Sequence, residues 1–263
     1  MRALLEIRDL AKRFPPRSGR GDSPWVIQGL SFSVNEGEFL TLIGPSGAGK
    51  TTLLNMIAQI DAANGGEVRF RSQLAPIGDP KALQPGLSCQ IGYVTQDDNL
   101  LPWRTTLQNV LFPLDVQGRL NDEGRARADM LIRAAGLAGF EDHFPHELSG
   151  GMRKRAALIR TLVYDPPVIL MDEPFGALDA QTRAHLQEDL LKLWEFGRKT
   201  IVFVTHDIAE AIALADRTLV LTRAPAHIAG EHIITIPRPR DIRGIMTHPD
   251  FAPLYQRIRA QVQ

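Results

Sequence analysis

The spacing of apolar residues changes period several times along the chain, and each change predicts an element. Leu4–Arg8, Val26–Val34 and Phe39–Ile43 read as short strands, joined by Pro/Gly-rich connectors such as PPRSGRGDSP at 15–24. After Gly44–Lys50 the spacing turns helical, with Leu53, Leu54, Ile57 and Ile60 in step, and GG at 65–66 is expected to end that helix. Val68–Phe70 and Ile91–Val94 read as further strands, and Asp122–Leu137, Gly151–Val163 and Ala180–Phe196 as helices. Two compact apolar runs, Val168–Met171 and Ile201–Val204, are entered after proline or charged residues. Apolar, β-branched strands alternating with helices predict an α/β fold whose mostly parallel sheet is covered on both faces. From about Arg223 the periodicity weakens, and PRPR at 237–240 reads as an extended connector before a short terminal helix. No internal repeat or low-complexity block interrupts this order.

Composition narrows the picture in two respects. Lys plus Arg and Asp plus Glu number 30 each, and no basic stripe is evident, so a nucleic-acid partner is not expected. The single cysteine, Cys89, excludes an internal disulfide, suits a reducing compartment and reads as structural. The charged start MRALLEIRDLAKRF lacks the apolar core of a signal peptide, and stretches such as Thr200–Val204 and Thr218–Leu221 are strand-sized rather than bilayer-sized. Any action at a membrane is therefore expected to pass through a partner.

Three segments carry chemistry. Gly44-Pro45-Ser46-Gly47-Ala48-Gly49-Lys50-Thr51 fits G-x-x-x-x-G-K-[ST] between a strand and a helix. Glycines let successive N–H groups turn inward around a phosphate, and the helix start adds partial positive charge. Lys50 supplies a point charge for β/γ-phosphates and Thr51, followed by Thr52, a hydroxyl for Mg²⁺. The second segment is Val168-Ile-Leu-Met171-Asp172-Glu173, an apolar strand ending in two acids. At the C-terminal edge of a parallel sheet, Asp172 can hold Mg²⁺ and Glu173 can orient or deprotonate an attacking water. The doublet favours hydrolysis over transfer to an acceptor. The third is Leu148-Ser149-Gly150-Gly151-Met152, where Ser149 is a good N-cap and two glycines expose the first N–H groups of a strong helix. A second anion site in one chain makes sense if it closes over the nucleotide of another copy. The basic run RKR at 153–155 reads as a solvated face near bound phosphates, and His143, His146, His227, His232 and His248 fit no metal-ligand spacing.

LSGGM at 148–152, in order with the phosphate loop and the acid pair, resembles the signature of ABC transporter ATPases. In the same order, Gln96 resembles the Q-loop glutamine, Ala177-Leu178-Asp179 the D-loop, and His206 in FVTHD the switch histidine. Phe14 falls where the family places an aromatic that stacks on adenine, with Trp25 a weaker candidate. The resemblance implies a P-loop NTPase core with an antiparallel β subdomain and a helical subdomain. It implies an ATPase domain over 1–225, with the helical subdomain inserted at about 97–160, and an extension over 226–263. Implied ligands are ATP on Phe14, Gly44–Thr52, Ser149, Gly150, Gly151 and Asp179, and Mg²⁺ on Thr51, Gln96 and Asp172. Glu173, His206, Lys50 and Gln96 are the implied catalytic set.

NLLPWRT after Gln96, LSGGMRKR and DEPFGALDAQTR together resemble the nitrate/sulfonate/taurine/bicarbonate importer branch. The implied partners are a second ATPase subunit, membrane permease subunits and a periplasmic or lipid-anchored solute-binding protein. The implied location is the cytoplasmic face of the bacterial inner membrane. An exporter or lipid-handling ATPase is the alternative on the same core.

Overall fold

The computed structural model describes residues 3–15, 24–70, 90–176 and 178–262. Cys89, Ala177 and most of the 15–24 connector lie outside the described residues. In chain order the first elements are β1 (Ala3–Arg13), β2 (Trp25–Asn35), β3 (Phe39–Ile43), α1 (Lys50–Ile57), β4 (Gly65–Phe70) and β5 (Ile91–Val94). There follow α2 (Thr106–Val116), α3 (Asp122–Ala134), α4 (Gly150–Leu162), β6 (Val168–Asp172) and α5 (Ala180–Gly197). The chain continues through β7 (Thr200–Thr205), α6 (Ile208–Leu214), β8 (Arg217–Leu221), β9 (Ile228–Ile233) and α7 (Phe251–Arg259). Contacts divide it into two compact units, Met1–Gln84 with Arg198–Gln263, and Pro85–Gly197.

The first unit holds two sheets. In one, β1 pairs antiparallel with β2 and with β4. In the other, β3 lies between β7 and β8, parallel to both, and β9 adds to β8 antiparallel. Every residue of β3 and β7 is buried. That burial explains their largely apolar, non-alternating sequences, FLTLI and TIVFVT, because a central parallel strand faces packed layers on both sides. Edge strand β9 alternates half-buried and exposed residues. In α7, Phe251, Leu254 and Ile258 are buried at helical spacing. The PRPR segment is more than a connector. Arg240, only 9% exposed, donates to the carbonyls of Ile212, Ala213 and Ala215 at the end of α6. Arg238 donates to Asp216 and to Leu214 O.

In the second unit β5 and β6 pair in parallel. Helices α2, α3 and α4 bury Val110, Leu114, Ala128, Ile132, Ala156 and Ile159 in a common core. The architecture is α/β, with parallel strand pairing in each unit, an antiparallel β group in the first and a helical group in the second.

Several expected boundaries move, for physical reasons. The GG pair does not end α1, which stops at Ile57, leaving Ile60 65% exposed. Gly65 and Gly66 instead open β4, where Gly66 sits at φ +78 beside the register slip between Arg8 and Ala11. Helix α3 ends at Ala134 rather than Leu137, because Gly136 at φ +63 turns the chain and folds Leu137 back into the core. Helices α2 and α6 were not anticipated: α2 contains Pro113 and α6 is a single short run. Among the described residues no helix is long and apolar enough to cross a membrane.

Candidate functional site

In the first unit the phosphate loop and His206 leave one sheet edge. Strands β3 and β7 pair in register with Ile43 opposite Thr205, so Gly44 and His206 both follow the C-terminal ends of adjacent parallel strands. Gly44 has no room for a side chain, since a Cβ would lie 2.7 Å from Leu221 O. Gly47 and Gly49 take φ +81 and +74, the left-handed region that glycine enters without strain. Pro45 O receives the N–H of Ala48, closing the loop upon itself. Lys50, 7% exposed, donates its ammonium to Gly44 O at 2.9 Å and Pro45 O at 3.0 Å. The loop therefore holds its own cation in place.

The start of α1 is the informative feature. Its N-cap, Gly49, offers no side-chain acceptor to the first N–H groups. By contrast α2, α3, α4 and α6 are each capped by a side chain, from Thr105, Asn121, Ser149 and Asp207. A helix start with a buried ammonium beside it and no protein cap fits a bound phosphate. Ser46 and Thr51 are exposed there, and Thr52 is half-buried. His206 is exposed just before Asp207, whose carboxylate accepts from Ala209 N at 2.8 Å and Glu210 N at 3.2 Å. Phe14 follows β1 and is 43% exposed, with Lys12 Nζ 4.9 Å from its ring centre. Trp25 opens β2 half-buried, with the Arg13 guanidinium 4.9 Å from its ring.

The second unit carries the remaining candidates. Val94 of β5 pairs with Met171 of β6, so Gln96 and the Asp172–Glu173 pair depart from one edge of this parallel pair. Asp172 is buried and Gln96 exposed. Glu173 has φ +43, an uncommon conformation for a non-glycine residue, in a turn closed by Gly176 N donating to Glu173 O. Such backbone strain persists where the surroundings impose it, and it concentrates at functional positions.

Ser149 caps α4 by accepting from Met152 N at 3.3 Å. Gly150 and Gly151 form the first turn, and a Cβ on Gly151 would press to 2.9 Å against Thr182 of α5. Asp179 caps α5, accepting from Gln181 N and Thr182 N at 3.1 and 3.0 Å. The Thr182 hydrogen bonds hold its carboxyl below the usual aspartate value. The carboxylate expected to meet nucleotide thus also starts a helix.

The run at 153–155 is not the solvated face expected from sequence. Arg153 pairs with Asp98, Lys154 donates to Gln96 O and Arg155 donates to Ala135 O. A signal existed: acids at 97–98 and bases at 153, 154 and 160. Only tertiary pairing connects them across the intervening residues.

A family model described as "ABC transporter" matches residues 27–176. The bicarbonate transport ATP-binding protein CmpD of Synechocystis is 40% identical over 257 residues, 96% of this chain and 86% of that one. The aliphatic sulfonates import ATP-binding protein SsuB of Bacillus subtilis is 39% identical over 238 residues, 90% of this chain and 87% of its own. A solved ATP-binding cassette, in a dimeric post-hydrolysis state bound to ADP and Pi, superimposes with TM-score 0.75 at 33% identity, covering 88% of this chain and 98% of that one. With an uncapped phosphate loop, an acid pair on a strand edge and a capped glycine-rich helix start, the chain belongs to the ABC transporter family, as one of its ATP-binding subunits.

Proposed function

We propose that this chain is the ATP-hydrolysing subunit of an importer, and that two copies close over two ATP molecules to drive uptake of a small anion or organic solute. Nitrate, a sulfonate or taurine are cargoes of the right class, and bicarbonate and sulfonates are the cargoes in the names of its relatives. The observation that carries the ATPase reading is the start of α1, where buried Lys50 stands beside backbone N–H groups that no side chain caps. Its partners are permease subunits in the membrane, a second ATPase copy and a periplasmic or lipid-anchored solute-binding protein. Its place is the cytoplasmic face of the bacterial inner membrane. Residues 1–225 form the ATPase domain, with the helical insertion at about 97–160, and 226–263 an extension.

Gly44–Thr52 wraps the phosphates of one ATP, Phe14 stacks on its adenine, and Ser149, Gly150, Gly151 and Asp179 of the other copy complete the cage. Thr51, Gln96 and Asp172 offer hydroxyl, amide and carboxylate oxygens, a hard donor set that fits Mg²⁺. Mg²⁺, when bound, neutralises charge on the β- and γ-phosphates. Glu173 orients water and accepts its proton, while Lys50 and His206 stabilise charge developing on the γ-phosphoryl oxygens. Closure depends on the γ-phosphate, whose charge satisfies the Ser149 helix start.

Glu173→Gln tests this reading. It should keep ATP affinity, accumulate a closed dimer seen by light scattering, and lower turnover roughly 10³-fold, about 4 kcal/mol of barrier. Phosphate release at the parental rate would remove Glu173 from its role.

A further inference from the structure

Three basic side chains of α4 reach one short loop. Arg153 Nε lies 3.1 Å from Asp98 Oδ2, Lys154 donates to Gln96 O, and Arg160 donates to Asn99 O at 2.7 Å and Asp98 O at 2.9 Å. Arg153 also donates, at 2.8 Å, to the carbonyl of Leu148, the residue before Ser149. One guanidinium thus spans the loop after Gln96 and the start of the signature helix. The loop has no ladder of its own. It is braced locally by Thr95 Oγ1 donating to Asp97 O and by Asn99 Nδ2 donating to Thr95 Oγ1.

The contacts are partly dry. Burial pushes the Lys154 ammonium and the Arg160 guanidinium below their ordinary values, while Asp98 pulls both back up. Cations in that position have lost water, and their partners are the loop's carbonyls and Asp98. An isolated surface ion pair contributes little. A set reaching Gln96, Asp98 and Asn99 from one helix, with Thr95 holding the carbonyl of Asp97 between them, restricts the backbone from Gln96 to Asn99.

We propose that Arg153, Lys154 and Arg160 are positioning residues that bind the Gln96–Asn99 loop to the helix beginning at Ser149, so that a displacement of either is carried to the other. This rests on the roles assigned above to Gln96 and Ser149. Under it, a pull on the Gln96 segment by a membrane partner and the arrival of Ser149 at the other copy's nucleotide are one movement. Lys50 and its phosphate cradle take no part, so nucleotide affinity and turnover should separate.

The test uses the full chain carrying Arg153→Met, Lys154→Met and Arg160→Met together, with Arg153→Lys as the conservative control. ATP affinity should stay within about twofold while kcat falls about tenfold or more. Amide exchange over 95–100 should quicken with α4 still protected, and Arg153→Lys should keep most of the rate. If the triple variant does not fold, Arg153→Met and Arg153→Lys decide by the same readouts. A folded variant with parental kcat overturns the proposal, as does a loss of rate that follows loss of ATP affinity or is shared by Arg153→Lys. Glu173→Gln separates the two levels. Normal turnover there overturns the site itself, whereas an inactive Glu173→Gln beside a fully active triple variant overturns only the clamp.

Discussion

At φ +78, Gly66 occupies backbone space that side-chain-bearing residues rarely adopt, and a Cβ there would run into the carbonyl oxygens of Arg8 and Asp9. Its neighbours are strand backbone, which cannot rotate aside as a side chain could. Gly66→Ala should therefore destabilise the fold by about 3 kcal/mol or more, read as a lower urea midpoint with unchanged slope. Glu173 shows the opposite arrangement, a side-chain-bearing residue at φ +43. Under the proposed function the carboxylate is what this position presents, and the residue directly follows the buried strand β6. At this scale sequence was eloquent about chemistry and silent about conformation. The GG at 65–66 signalled a break in regular structure, but only the partner strand β1 makes it a strand entry instead of a helix end.

Among the elements, α2 shows how a helix and the loop before it become one piece. Asn109 is fully buried. Its amide nitrogen donates to the carbonyls of Leu101, Arg104 and Thr105, and its oxygen accepts from Leu101 N at 2.7 Å. Both the amide N–H donors and the amide oxygen are engaged in shaping residues 101–105. Asn109→Ala should cost about 2–4 kcal/mol in chemical denaturation. Asn109→Asp, which turns a donor into an acceptor facing three carbonyls, should cost more, and a smaller loss than alanine would refute the assignment. The helix starts sort themselves by the same accounting. Helices α2 to α6 carry side-chain caps, whereas α1 and α7 have none, and only α1 sets its bare start beside a buried ammonium. Arg240 closes the other end of α6 from a segment that reads as a bare connector.

For the assembled molecule, the proposal that two copies share each cage makes a prediction that no property of one copy can mimic. Lys50→Met destroys one half of each cage and Ser149→Glu the other, so each variant alone should release phosphate at less than about a hundredth of the parental rate. Mixed, they form pairs in which one cage receives both intact halves, and phosphate release should recover to a sizeable fraction of the parental rate. No recovery would mean that Ser149 serves the nucleotide of its own copy. The mostly parallel α/β core, the phosphate loop, the acid pair and the family were legible in the sequence, because each depends on spacing within a segment or on the order of such segments along the chain. Four features were decided only by the tertiary structure. They are the pairing of β1 with β4 that requires Gly66, the short helices α2 and α6, the capping of α6 by Arg240, and the attachment of residues 96–99 to α4. All but the two helices join residues far apart in the chain, and a residue's own neighbours in sequence carry no record of which distant carbonyl its side chain will meet; α2 and α6 are local, but an internal Pro113 and a run of 7 residues hide their period.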